Sequence, residues 1–281
     1  MTQKTMTVAA IQTAYGADRE ENIDKTIHFI RQAAENGANI ILPSELFQGP
    51  YFCTSQDPRW FETAFPATEH PCVTALQPIA KDLGVVIPVS IFERDGHHNY
   101  NSVVMLGTDG EIMGVYRKTH IPDGPGYQEK YYFRPGDTGF KVWDTPFGKV
   151  GVGICWDQWF PECARAMALQ GAEILLYPTA IGAEPYDSAL DTSARWRRAM
   201  QGHAVSNAIP VVAANRIGTE TVLGVSQTYY GHSFIANQSG DMVQSFGKTE
   251  EGILIQSFDR ESLREYRNDW GFFRDRRPEM Y

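Results

Sequence analysis

The chain has 281 residues, 42% hydrophobic and 21% charged, which is enough apolar material for a sizeable core and excludes a disordered polymer. Its 25 glycines fall far short of the one in three that a collagen repeat needs. Acidic residues outnumber basic ones 34 to 25, and the formal charge of −9 repels phosphate backbones and anionic lipid, so neither nucleic acid nor a membrane is an expected partner.

Taken in chain order, the apolar run at residues 8–11 is too short for a signal peptide or a membrane span, and a cytoplasmic location is expected. Residues 7–12 read as a buried strand. Ile23, Ile27, Ile30 and Ala34 keep a spacing of three or four, which predicts an amphipathic helix over residues 22–36, stopped by Gly37. A strand at Ile40-Ile41-Leu42 ends at Pro43. A second helix carries Leu76, Ile79, Ala80 and Leu83 and stops at Gly84, and residues 85–91 form the next strand. Strands at 101–106 and 112–116 flank Thr108-Asp109-Gly110, a hairpin signal.

The same order returns after residue 140. It runs strand 150–154, helix 162–170, strand 174–177, helix 195–207, strand 210–214, then a hairpin around Ser239-Gly240-Asp241. Gly37-Ala38-Asn39-Ile40-Ile41-Leu42-Pro43 is echoed by Gly171-Ala172-Glu173-Ile174-Leu175-Leu176-Tyr177-Pro178. Two sheets, each with helices on one face, can bury their bare faces against each other. The expected fold is therefore α/β, a four-layer α-β-β-α sandwich with an internal pseudo-twofold. No Pro-, Gly- or Ser-rich linker parts the halves, so residues 1–281 are read as a single domain.

Three residues carry the candidate chemistry. Cys155 sits between the strand and the helix of the second half, where a side chain is exposed and backbone N–H groups can face an oxyanion. Glu45 closes the equivalent strand of the first half between apolar neighbours, which suits a general base. Lys118 follows the hairpin strand and could stabilise both a thiolate and a tetrahedral oxyanion. Each has an ordinary alternative: a core cysteine, a solvated glutamate, a solvated lysine. The four cysteines, Cys53, Cys72, Cys155 and Cys163, form no CxxC, and the histidines form no HExxH or HxH, so neither metal nor cofactor is expected.

Together, Tyr116-Arg117-Lys118-Thr119-His120 and Gly153-Ile154-Cys155-Trp156-Asp157, with a glutamate upstream, resemble the nitrilase superfamily of carbon-nitrogen hydrolases over residues 8–277. The resemblance implies an α-β-β-α fold and a triad in which Cys155 is the nucleophile and Glu45 the base, with Lys118 and the N–H of Trp156 holding the oxyanion. It maps a second, lysine-orienting glutamate onto Glu129. It also implies a homo-oligomer, with the C-terminal tail, about residues 260–281, at an interface. Residues 120–130, 154–162 and 270–278 narrow it to the branch that acts on a small cationic ureido substrate. Two departures from that pattern are Cys163, where a small residue is usual, and an end at Tyr281, a few residues short of some relatives.

The residues 179–187 offer acids and no base. Glu184 is accordingly expected to pair the substrate ammonium, with Asp187 in reserve and Tyr51 as a wall or hydrogen-bond partner. Open alternatives are a β-ureidopropionase-like or ω-amidase-like member, a Cys-His hydrolase using His120 or His203, and a non-enzymatic scaffold.

Overall fold

The structure, a computed structural model, describes residues 3–184, 186–187 and 190–281. The first half runs β1 (Thr5–Gln12), α1 (Arg19–Glu35), β2 (Ile40–Leu42), α2 (Pro71–Leu83), β3 (Ile87–Asp95), β4 (His98–Leu106) and β5 (Ile112–Arg117). The second runs β6 (Lys141–Thr145), β7 (Gly148–Val152), α3 (Pro161–Leu169), β8 (Ile174–Pro178), α4 (Ser193–Asn207) and β9 (Val211–Ala214). A hairpin, β10 (Ile217–Val222) and β11 (Val225–Tyr230), precedes β12 (Phe234–Ala236) and β13 (Met242–Ser245); β14 (Gly252–Asp259) and α5 (Arg260–Trp270) follow.

Local signals explain the helix ends. Asp18 accepts from the N–H of Glu21 at the start of α1, and Pro71 opens α2, where it sacrifices no intrahelical bond. Gly84 closes α2 at φ +62°, a conformation in which a Cβ would be strained.

One sheet has the order β13-β12-β9-β8-β7-β6. The other is assembled from β14-β1-β2 and β3-β4-β5, joined where Ile40 bridges Val86 in parallel. The two orders superimpose element for element: β1 to β7, β2 to β8, β3 to β9, β4 to β12 and β5 to β13, with β14 and β6 as antiparallel flanks. This is the expected internal symmetry.

Alternation along the strands divides the core into layers. Val8, Ala10, Ile40, Leu42, Val150, Val152, Ile174 and Leu176 pack between the sheets. Ala9, Ile11 and Ile41 face α1 and α2, while Leu175, Tyr177, Val211 and Ala213 face α3 and α4.

Four features lay outside the sequence reading: β6, the β10–β11 hairpin, β14 and α5. β14 pairs antiparallel with all of β1, from Thr5 opposite Asp259 to Gln12 opposite Gly252. Residues 260–270 are a helix, capped by Asp259 and anchored by buried Leu263, and Arg267 donates to the carbonyls of Ala168 and Ala172 at the end of α3. No helix among the described residues is long and apolar enough to cross a membrane.

Candidate active site

The ends of β2, β5 and β7 meet, and each is followed by one of the three candidate residues. Lys118 and Glu45 are wholly buried, with Lys118 Nζ 2.9 Å from Glu45 Oε1. The same ammonium lies 2.7 Å from both carboxylate oxygens of Glu129, also wholly buried. Asn101 Nδ2 donates to Glu45 Oε1 at 2.7 Å. Glu45 Oε2 finds no hydrogen-bond partner among the described residues. A buried carboxylate oxygen left open in this way is suited to receive a proton.

Cys155 begins a 3-10 turn, Cys155–Trp159, with φ +40°. A non-glycine residue there costs about 1–2 kcal/mol, so surrounding contacts must hold it. Asp157 supplies several. Its Oδ2 accepts from the N–H of Ile154 at 2.9 Å and from Tyr116 Oη at 2.7 Å, and its Oδ1 accepts from the N–H of His120 at 2.9 Å. One buried carboxylate thus ties the cysteine turn to the lysine segment. Lys118 is clamped through its own backbone as well, with its N–H on Asn101 O and its carbonyl on the N–H of Gly136, both at 2.8 Å. Gly136 is required for that approach, since a Cβ there would lie 2.1 Å from Arg117 O.

Burial and the Glu45 charge push the Cys155 thiol well above its ordinary pKa, with Lys118 pulling the other way. That direction favours the thiol form, against the pull of Lys118 toward the thiolate. Burial opposes the Lys118 charge, but Glu129 and Glu45 outweigh it and hold the ammonium above its usual value. Glu129 is pushed up to about 7, chiefly by burial and against the pull of Lys118.

Cys155 opens into a cavity of about 540 Å³ whose walls include Trp156, Trp159, Tyr127, Tyr186, Asp123, Glu184 and Arg195. Expected Glu184 is therefore at the cavity, and so is Trp156, which is 40% exposed. Tyr51 is not a wall. It is wholly buried behind the site, where its hydroxyl donates to Glu129 Oε1 at 2.5 Å, so that expectation is corrected. Asp187 is exposed and lies next to the cavity-wall residue Tyr186, bridged through its backbone to Glu184. The unforeseen β10–β11 hairpin holds the loop after β8, with Ala183 N–H on Thr228 O at 2.8 Å. Gly182 permits this contact, because a Cβ there would lie 2.2 Å from the same carbonyl.

Residues 7–268 match the family model described as carbon-nitrogen hydrolase. The chain belongs to that family. This hydrolase is 54% identical over 282 residues to the N-carbamoylputrescine amidase of Solanum lycopersicum, covering 99% of this chain and 94% of that one. It is 53% identical over 274 residues to the citrullinase of Francisella tularensis, covering 98% and 96%. A crystal structure of a carbon-nitrogen hydrolase from Helicobacter pylori G27 matches with a TM-score of 0.93 at 38% identity, covering 99% and 97%.

The histidines of the hydrolase are engaged elsewhere. His120 gives Nδ1 to Asp157 at 2.8 Å and stacks on Phe160 with centroids 3.6 Å apart, while His203 Nε2 meets the Gln158 carbonyl at 2.7 Å. Both are accounted for as structural groups, against the Cys-His alternative. Cys163 packs beneath Gly153, with its sulfur 3.0 Å from where a Cβ of that glycine would lie. Among the described residues no three His, Cys, Asp or Glu side chains gather as a metal site. Sequence reasoning missed Asp157, Arg216 and Glu220 as site-building residues. The one available signal was that charged residues sit beside strand ends; their burial came only with the fold.

Glu129→Gln gives a first test of the lysine site. The amide keeps an acceptor for Tyr51 but loses the charge that fixes Lys118, so kcat is expected to fall at least about tenfold while the fold persists. Glu129 has a folded pKa above its ordinary 4.5, so the stability it confers is full below that value and is lost as pH rises toward 7. Thermal unfolding of the variant should be flatter across that window than that of the wild type, and coincident pH profiles would refute the shift.

Proposed function

We propose that this hydrolase converts N-carbamoylputrescine to putrescine, carbon dioxide and ammonia, a step of polyamine biosynthesis, through a covalent intermediate on Cys155. The observation that carries the reading is a buried Glu45–Lys118–Cys155 group at a cavity lined by aromatic rings and by Glu184 and Asp123. Such walls suit an ammonium, which gains from a carboxylate and from aromatic faces together.

The Cys155 thiol passes its proton to the open oxygen of Glu45 as the sulfur attacks the ureido carbon. Lys118 and the N–H of Trp156 hold the oxygen that becomes negative. Glu45 then returns the proton to the departing nitrogen as the C–N bond breaks. Water, deprotonated by Glu45, attacks the carbonyl carbon of the S-carbamoyl intermediate; the C–S bond breaks, Glu45 returns the proton to the sulfur, and the carbamate released decomposes to carbon dioxide and the second nitrogen product. Every proton has a donor and an acceptor within this group, so EDTA is expected to leave the rate unchanged.

Glu184 is assigned to the distal ammonium. Truncating one partner of a partly desolvated charge pair costs roughly 2–5 kcal/mol, so Glu184→Gln should raise KM for N-carbamoylputrescine by well over tenfold. An unchanged KM would refute the assignment.

A second reading is favoured by Arg195, which qualifies the argument that this region offers no base. Citrulline carries the same ureido group and adds a carboxylate beside the distal ammonium, which a guanidinium could hold. Ammonia release should therefore be measured with N-carbamoylputrescine, citrulline, N-carbamoyl-β-alanine, glutamine and an aliphatic nitrile. Preference for N-carbamoylputrescine supports the first reading; preference for citrulline, abolished by Arg195→Ala, supports the second.

A homo-oligomer is proposed as the working form, with the C-terminal segment, about residues 260–281, at an interface. Support comes from the surface rings of Trp270, 54% exposed, and Tyr281, 78% exposed. A monomeric mass by light scattering at micromolar concentration would overturn it. Four buried, unpaired cysteines support a reducing compartment such as the cytoplasm.

A further inference from the structure

Behind the triad lies a second buried ion pair. Arg216 Nη1 meets Glu220 Oε1 at 2.6 Å, and the two side chains are 0% and 6% exposed. Arg216 Nη2 donates to the carbonyls of Glu45 at 2.6 Å and Leu46 at 3.0 Å, and Nη1 also reaches the Gly49 carbonyl at 3.2 Å. The rings of Tyr15 and Tyr229 lie 5.1 and 5.4 Å from the guanidinium. The other oxygen of Glu220 accepts from the N–H of Tyr51 at 2.7 Å.

These contacts close a ring with the triad. Arg216 holds the main chain of Glu45, Glu45 meets Lys118, Lys118 meets Glu129, Glu129 accepts from the Tyr51 hydroxyl, and the Tyr51 N–H returns to Glu220. The turn that carries Glu45 needs such a hold, because Leu46 stands at φ +47°. A buried ion pair is weak evidence for stability, since apolar replacements often do as well. A planar fork that grips three carbonyls within the five residues Glu45 to Gly49 is better explained by placement.

We propose that Arg216 and Glu220 are positioning residues for the general base, fixing the main chain of Glu45 and, through Tyr51, the carboxylate that orients Lys118. The proposal rests on Glu45 acting as the base, as in the mechanism above. It goes beyond that mechanism in making the β9–β10 junction of the second half responsible for the base of the first.

The test uses Glu220→Gln and the double variant Arg216→Met/Glu220→Gln, which leaves no lone buried charge. Three quantities are measured: thermal unfolding, kcat and KM, and the rate at which iodoacetamide alkylates Cys155, followed by mass spectrometry. Alkylation needs Glu45 to take the thiol proton but needs no natural substrate, so it separates failure of this proposal from failure of the substrate reading. The folded double variant is expected to lose about 10²-fold in kcat with KM little changed, the cost of a misplacement of about 1 Å. Its alkylation rate should fall toward that of Glu45→Gln. If the double variant does not fold, Glu220→Gln alone should still lower kcat by about tenfold, and Arg216→Lys, which reaches fewer carbonyls, should lie between. Wild-type kcat and alkylation in a folded variant would overturn the proposal, as would losses that only track the unfolded fraction.

Discussion

Cys155→Ala is expected to abolish turnover, with a loss on the order of 10⁴–10⁶-fold, because no other group can form the acyl bond once the sulfur is gone. The fold should survive. Alanine keeps the turn, whose φ of +40° is imposed by the contacts of Asp157 with Ile154, Tyr116 and His120 rather than by the sulfur. Removing the sulfur leaves a small void, worth about 1 kcal/mol. Circular dichroism should therefore match the wild type, with thermal unfolding lowered by about 2–4 °C at most, while ammonia release falls to background. Mass spectrometry should find an adduct on wild-type protein quenched during turnover and none on the variant. Substantial activity in a contaminant-free preparation of Cys155→Ala would sink the covalent mechanism.

Lys118→Met is expected to damage both activity and stability. Its ammonium is the partner of Glu45 at 2.9 Å and of Glu129 at 2.7 Å, all three wholly buried. Removing one partner from such a group costs about 3–5 kcal/mol, because the charges left behind are uncompensated. The pH dependence has a definite sign. In the wild type the Lys118 pKa is raised above 10.5, so its contribution is complete below that value and is lost only as pH climbs past the folded pKa. In the variant Glu129 loses the pull of Lys118, its raised carboxyl is raised further by burial alone, and stability is lost as pH increases from mild acid. The gap between variant and wild type should thus widen from about pH 5 to pH 8 in urea unfolding. Adding Glu129→Gln to Lys118→Met should recover much of the stability but none of the activity, since the oxyanion partner is still missing. Wild-type turnover by Lys118→Met would remove the lysine from the mechanism.

By itself the sequence determined the layered fold and the three residues around which the chemistry is built. Apolar spacing and glycine stops are local, so α1, α2 and the strands that match their counterparts in the second half were legible. The repeat of the Gly37–Pro43 pattern at Gly171–Pro178 announced the pseudo-twofold before any contact was known. Strand β14, whose Ile253, Leu254 and Ile255 run together without alternating, and the strongly polar helix α5, which buries only Leu263, were not read from the sequence. They are held by pairing with β1 and by packing on α3, at the far end of the chain.

Only the tertiary structure decided the state and setting of the site. That burial raises the Cys155 thiol, that Tyr51 hydrogen-bonds Glu129, and that Arg195 joins the cavity are consequences of burial and proximity. Residue types and spacing do not encode these. The Arg216–Glu220 pair makes the point most sharply: its contacts reach the turn after Glu45, some 170 residues earlier in the chain. A charged side chain takes its meaning from what surrounds it, and when those surroundings are brought together from both halves of a pseudo-symmetric sandwich, no local pattern can announce them.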